Sequence, residues 1–241
     1  MSNNKIIYFR DLCEKIKKEK NYKTTRACIN EINKLIEDKK IYKLSSNIYR
    51  YGFKESFKIN KNEIELDIIK EISSNYNINF IIWDISVLNN WLNHLLNISI
   101  YILEVEKEYI DFVFDLLKEK YSILKNPKIE DIYNYAKENT ILLKPLVSKA
   151  PINNIDKTPK IEKIIVDIFS DKMINSFYDG NERLCIYENI FNNYSVNYKT
   201  LFAYAKRRSV SEELKDYLLK FKIGEVDYYD TQRDIYKESC R

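Results

Sequence analysis

Glycine and proline are nearly missing from the 241-residue chain, at three and four residues. So few turn formers exclude long flexible linkers and a turn-dense all-β architecture, and helices should dominate. Three glycines also leave no glycine-rich loop to cradle phosphates. Histidine occurs once, at His94, so no Ser-His-Asp set exists without it. His94 follows Trp91 and precedes Leu95 and Leu96, and reads as a helix-packing residue rather than a metal ligand or catalytic base. Cys13, Cys28, Cys185 and Cys240 are far apart and lack CxxC or CxH spacing. They read as reduced thiols, not as disulfides or a zinc site. No apolar run is long enough to span a bilayer, since the most apolar stretch, 80–105, is interrupted by Asp84, His94 and Glu104. The first ten residues already hold Lys5 and Arg10 with no apolar run after them, so no targeting segment, no membrane and a cytoplasmic location are expected. Neither a cofactor nor a metal is expected.

What is present is a globular profile: 45% hydrophobic, 14% aromatic and 32% charged residues. Lysine outnumbers arginine 32 to 8, a compositional bias that by itself says little about partners. The distribution of charge says more. Residues 1–58 hold 15 Lys and Arg against 7 Asp and Glu, a net +8, while the remainder holds 25 against 29. A basic head on a slightly acidic body suggests that the head meets a polyanion.

Phe9, Leu12, Cys13 and Ile16 are spaced for a helix over Phe9 to Lys18. Thr24 is a suitable N-cap for a second helix to about Asp38, with Cys28, Ile32, Leu35 and Ile36 on one stripe. Two short alternating runs, Ile41 to Leu44 and Ile48 to Tyr51, flank the polar turn Ser45-Ser46-Asn47 and predict a β-hairpin. Helix, turn, helix and hairpin is the order of a winged helix-turn-helix. Downstream, a helix carries Ile64, Ile68, Ile69 and Ile72. Then come a strand at Phe80–Trp83, a helix at Val87–Leu96, a strand at Ser99–Val105 and a helix at Tyr109–Lys120, an order that predicts a small α/β domain. Thr140–Val147 reads as a further strand, with Pro145 suiting an edge or a bulge. Helices follow at Lys160–Phe169, Cys185–Asn192, Tyr198–Arg207 and Ser211–Phe221. The expected fold class is mixed α+β: a winged helix-turn-helix at 1–58, an α/β domain with a helical C-terminal lobe at 59–224, and a polar tail at 225–241.

In a helix-turn-helix the second helix presents its N-terminal residues to the major groove. Here these are Lys23, Thr24, Thr25 and Arg26, with Asn30 one turn on. Arginine pairs bidentately with guanine and asparagine with adenine. Lys34, Lys43, Asn47 and Arg50 suit backbone contacts, Asn47 at the wing tip and Lys43 and Arg50 flanking it. The plainer reading is a protein-interaction module, because winged helices mediate such contacts too.

The body carries Lys144-Pro145-Leu146-Val147-Ser148-Lys149-Ala150-Pro151, followed by a helix over Pro159 to Phe169 that contains Glu162, Lys163, Val166 and Asp167. Further on stand Tyr194-Ser195-Val196-Asn197 and Tyr204-Ala205-Lys206-Arg207-Arg208. In order and spacing, with Trp83-Asp84, Leu88-Asn89 and Val105-Glu106-Lys107, these elements resemble the AbiEi-type antitoxins of type IV toxin–antitoxin (abortive infection) systems. The departures are Ser45-Ser46-Asn47 in place of that family's Arg-Gly pair in the wing, and the added tail. The resemblance implies an autorepressor that binds double-stranded DNA at its own promoter. It also implies a body that counteracts a nucleotidyltransferase-like toxin without needing a stable complex with it. Lys144, Ser148, Glu162, Lys163, Asp167, Arg207 and Arg208 are then the candidates for antitoxin function. Read from the residues alone, Lys163 and Asp167 are four apart and could form an internal ion pair. Arg207 and Arg208 could equally cap a helix C-terminus, worth about 0.3–1 kcal/mol each.

An enzyme of another class is the alternative. Asp84, Glu104 and Glu106 beside Lys107 resemble the acids and lysine of a metal-dependent PD-(D/E)xK nuclease. The spacing departs from it, because an acid and lysine on one strand face must be two apart, whereas Glu106 adjoins Lys107. Catalysis is not expected. A third reading is a protein-binding winged-helix adaptor.

Overall fold

The computed structural model describes residues 6–45, 47–178, 180–224 and 226. Ser46 of the expected wing and all but Val226 of the expected 225–241 tail, Cys240 included, lie outside the described residues. The chain is mixed α and β.

The N-terminal unit begins with β1 (Ile6–Tyr8), α1 (Phe9–Lys20) and α2 (Thr25–Glu37). Asn21 ends α1 in the left-handed region, and the Thr24 hydroxyl accepts the Ala27 N–H to start α2. Leu12, Cys13 and Ile16 of α1 meet Cys28 and Ile32 of α2 over Ile41 and Tyr49. The last two come from the hairpin β2 (Ile41–Ser45) and β3 (Ile48–Tyr51), and β1 pairs with β3 to complete an antiparallel sheet of order β1-β3-β2. The opposite face of this sheet is apolar as well. Tyr42, Leu44 and Ile48 are buried there, and β2 packs against the helix over Tyr198–Arg207 of the C-terminal lobe.

The segment after β3 is fastened to the body. Glu55 donates its N–H to the Asn193 carbonyl at 2.8 Å and accepts from the Ser195 N–H at 2.9 Å. The Lys54 ammonium donates to the Phe191 carbonyl at 2.7 Å, and the Phe57 ring meets those of Trp91 and Tyr194 at 5.5 Å. Then α3 (Glu63–Asn75) starts with a capping box between Asn62 and Glu65.

The body is built on a four-stranded sheet. Along the chain come β4 (Phe80–Asp84), β5 (Ile100–Val105), α4 (Ile110–Leu117), β6 (Ile123–Lys125), α5 (Ile129–Tyr135) and β7 (Thr140–Pro145). The order is β4-β5-β7-β6, with β4 antiparallel to β5 and the other three parallel. Helices cover both faces, which is why β4 and β5 are buried throughout and are apolar but for Asp84 and Glu104. Ile68 and Ile72 of α3, with Val113 and Leu117 of α4, pack on Tyr101, Leu103 and Leu143. The other face holds Trp83, Ile102 and Leu142 against the helical lobe. That lobe follows a small ribbon, β8 (Ile152–Asn153) with β9 (Thr158–Pro159). It comprises α6 (Ile161–Ser170), α7 (Lys172–Asn175), α8 (Glu182–Asn193), α9 (Tyr198–Arg207) and α10 (Ser211–Lys220).

Three expectations need correction. Residues 87–96 do not form a helix: a 3-10 turn spans Ile85–Asn90 and an irregular stretch follows, because Asp84 caps the turn through Ser86 and Asn89 bonds back to Leu96. His94 therefore packs in no helix; its side chain is exposed and its Nδ1 lies 2.6 Å from Glu182 Oε1. Pro145 marks neither an edge nor a bulge, since β7 lies between β5 and β6. Pro145 is its last residue, beyond the end of the β6 pairing, so no ladder bond to β6 is lost.

Candidate functional site

On α2 the apolar stripe turns inward, and Thr24, Thr25, Arg26, Asn30 and Lys34 are exposed, with Lys23 exposed just before them. No acidic residue stands in the first turn. The nearest acid, Glu31, accepts from Lys20 of α1 at 2.7 Å, which holds its carboxyl below the ordinary range and engages its charge. Ile29, 42% exposed, places an apolar side chain beside Arg26 and Asn30. In the hairpin Lys43 is exposed on β2 and Asn47 is exposed in the turn, its carbonyl accepting the Phe9 N–H at 2.8 Å. Arg50 goes elsewhere. It is half-buried and pairs in register with Tyr42 and Ile6, on the face that packs against the body, whereas Lys43 pairs with Tyr49 on the helix side.

All the body residues singled out for antitoxin function except Glu162 gather around the carboxyl end of β7. Glu104 of β5 and Lys144 of β7 are register partners on the face covered by α6. Lys163 of α6 reaches down to Glu104 at 2.7 Å and also bonds Asp167 one turn along its helix. All three side chains are 1% exposed. Burial alone would drive the Lys163 ammonium down, but the Asp167 and Glu104 carboxylates outweigh it and hold the group above the ordinary lysine value. The Tyr204 hydroxyl, pushed up by burial and hence protonated, donates to Asp167 Oδ1 at 3.0 Å, and Arg208 lies 3.3 Å from the same oxygen. Nearer the surface Lys144 bonds Asp171 at 2.5 Å. Burial would raise that carboxyl, yet Lys144 holds it below the ordinary range. Glu104, Lys163, Asp167 and Arg208 thus form one chain of contacts from β5 through α6 to the end of α9, and Lys144 and Asp171 form a second pair at the end of β7.

The remaining candidates lie around this centre. Arg207 is exposed and donates to the Ser148 hydroxyl at 3.0 Å, just past the end of β7. Glu162 is buried and separate from the centre: it accepts the Asn197 N–H at 2.8 Å at the start of α9, and burial raises its carboxyl. The internal pairing of Lys163 with Asp167 is observed. Glu104 as a second partner of Lys163, and Asp171 as the partner of Lys144, do not follow from spacing along the chain, because they depend on how α6 and the turn after it lie over β5 and β7. Tyr204 belongs to the Tyr204-Ala205-Lys206-Arg207-Arg208 segment, and its spacing of one helical turn from Arg208 is the sequence signal that places both on Asp167.

The nuclease acids are not brought together. Asp84 pairs with Tyr101 on the α3 and α4 face of the sheet, whereas Glu104 faces α6. Asp84 accepts from Ser86 and Ser99, and Glu106 accepts from Asn79. Among the described residues no group of His, Cys, Asp and Glu side chains is placed to hold a metal ion, and no helix is long and apolar enough to cross a membrane.

Residues 27–223 match a family described as one of unknown function, DUF6577. No curated protein matches the chain.

Proposed function

We propose that this chain, which belongs to the DUF6577 family, binds double-stranded DNA through a winged helix-turn-helix at its N-terminus and acts as an antitoxin-like repressor. The observation that carries the reading is the exposed edge of α2. It presents Thr24, Thr25, Arg26, Asn30 and Lys34 with no acid in the first turn, on the segment that holds the net positive charge. The turn between α1 and α2, the hairpin behind them and exposed Lys43 and Asn47 agree with a helix in the major groove and a wing on the backbone. Arg50 is left out of the contact surface.

The antitoxin half rests on the resemblance to AbiEi-type proteins, supported by the gathering of Lys144, Ser148, Lys163, Asp167, Arg207 and Arg208 around one strand end. Arg207 and Ser148 are the exposed members and the ones a partner could meet. The buried members fasten α6 and α9 to the sheet.

A gel-shift titration against the DNA upstream of the chain's own gene, at low and moderate salt, tests the first half. Retardation should weaken steeply as salt rises, because phosphate contacts release counterions. Arg26→Ala should cost about 1–3 kcal/mol of affinity and relax base preference. An unchanged shift with that variant would remove Arg26 from the interface, and no shift at micromolar protein would leave a protein-interaction module. For the second half, co-expression of the full chain should restore growth to cells making the partner toxin, and Arg207→Ala should reduce that rescue.

A further inference from the structure

A crevice opens beyond the carboxyl ends of β5 and β7. The two strands stay paired to their last residues, with Leu146 donating its N–H to the Val105 carbonyl at 2.7 Å, and there they part. The chain leaving β5 turns toward α4 on one face of the sheet, while the chain leaving β7 runs to α6 on the other. Adjacent parallel strands whose connections leave to opposite faces are where open α/β sheets bind ligands. The space between the two departing segments is a cleft of about 510 Å³, lined by Glu106 and Lys107 after β5, by Leu146–Ala150 after β7, and by Asn79. That volume falls within the roughly 300–1,000 Å³ range of small-molecule sites.

The two walls differ in chemistry. Glu106 is the first residue past β5, and the Asn79 amide donates to its Oε1 at 2.7 Å, which orients the carboxylate. A carboxylate at a strand end is suited to accept from the paired hydroxyls of a ribose. On the β7 side stand the Ser148 hydroxyl and the exposed Lys149 ammonium, and Arg207 of α9, outside the lining of the cleft, donates to the Ser148 oxygen at 3.0 Å and leaves its O–H free to donate. Hydroxyl and ammonium together suit a phosphate. Glu108 opposes Lys107 in charge along the β5 wall, so the cleft does not favour a highly charged polyphosphate.

We infer that this crevice binds a nucleoside monophosphate, with its ribose hydroxyls on Glu106 and its phosphate against Ser148 and Lys149. The site is separate from the DNA-binding edge of α2 and does not depend on it. Calorimetric titration of the full chain with AMP, GMP, CMP and UMP, and with adenosine and inorganic phosphate, tests the assignment. At least one mononucleotide should bind saturably, ten-fold or more tightly than adenosine or phosphate. Glu106→Gln and Lys149→Ala should each weaken it at least ten-fold without shifting the melting temperature, and Arg26→Ala should leave it unchanged. No saturable binding of any mononucleotide would overturn the inference, as would binding unaffected by both crevice variants. Phosphate binding as tight as the nucleotide would overturn the ribose assignment, and loss of binding in Arg26→Ala would move the ligand to the head.

Discussion

Lys163 keeps its charge in the interior only because two carboxylates meet it there. Truncating it leaves Glu104 and Asp167 buried without their cation, and Lys163→Ala should lose about 3–5 kcal/mol in urea denaturation. Arg207→Ala, at an exposed position, should stay within about 0.5 kcal/mol. Glu65 gives a pH dependence of definite sign. Burial, with the Asp84 carboxylate adding to it, raises its carboxyl above the ordinary value, and among the described residues its Oε1 has no hydrogen-bond partner. The folded chain therefore holds this proton at pH values where the unfolded chain has released it, so stability falls as pH rises from the ordinary Glu value through the folded one. Glu65→Gln keeps an oxygen for the Asn62 N–H and has no charge to bury. It should be more stable than the parent at pH 7, with a gap that narrows toward pH 4. A glutamine variant less stable across that range would contradict the assignment. At this scale the i,i+4 pair of Lys163 and Asp167 could be read directly from spacing. Glu104 could not, because its partner lies 59 positions away and depends on which face of β5 meets α6.

Helix ends show what a chain with three glycines does where glycine is usual. After α2, α9 and α10 the chain enters the left-handed region at Lys39, Ser209 and Lys222, and in each case two backbone bonds close the end. At α9 they run from Ser209 to the Lys206 carbonyl and from Val210 to that of Ala205. A side chain in this conformation is strained, so Ser209→Gly should stabilise the fold by about 0.5–1 kcal/mol, read as a higher urea midpoint at unchanged slope. Gly224 is the opposite case: a Cβ there would lie 2.5 Å from the Tyr198 hydroxyl oxygen and 2.6 Å from the Phe191 ring. Long elements with periodic apolar residues, α1, α2, α3, α6 and α9, were legible to within a few residues. The short ones, β6, α5, α7 and the β8–β9 ribbon, were not, because two to seven residues carry too little period to register. The segment at 87–96 misled for a different reason: it has helical composition, but Asn and Asp side chains bond to its backbone and hold it in a turn.

Across the whole molecule, the charge contrast between head and body was legible in the sequence, but the way the two are joined was not. The expected boundary near residue 58 falls in a segment whose backbone is paired with the stretch between α8 and α9, and the second face of the head's sheet is buried against the body. The full chain should consequently melt in one transition, with circular dichroism and tryptophan fluorescence coincident although both tryptophans lie in the body. A separate early loss of the N-terminal helices would show the head unfolding on its own. The same joint governs portability. Grafted onto another scaffold, residues 1–58 would carry Tyr42, Leu44 and Ile48 into water, so the segment is not an interchangeable module. Any recombination that moves it must bring a matching surface for those three side chains, and a lineage that keeps the head is thereby constrained to keep α9.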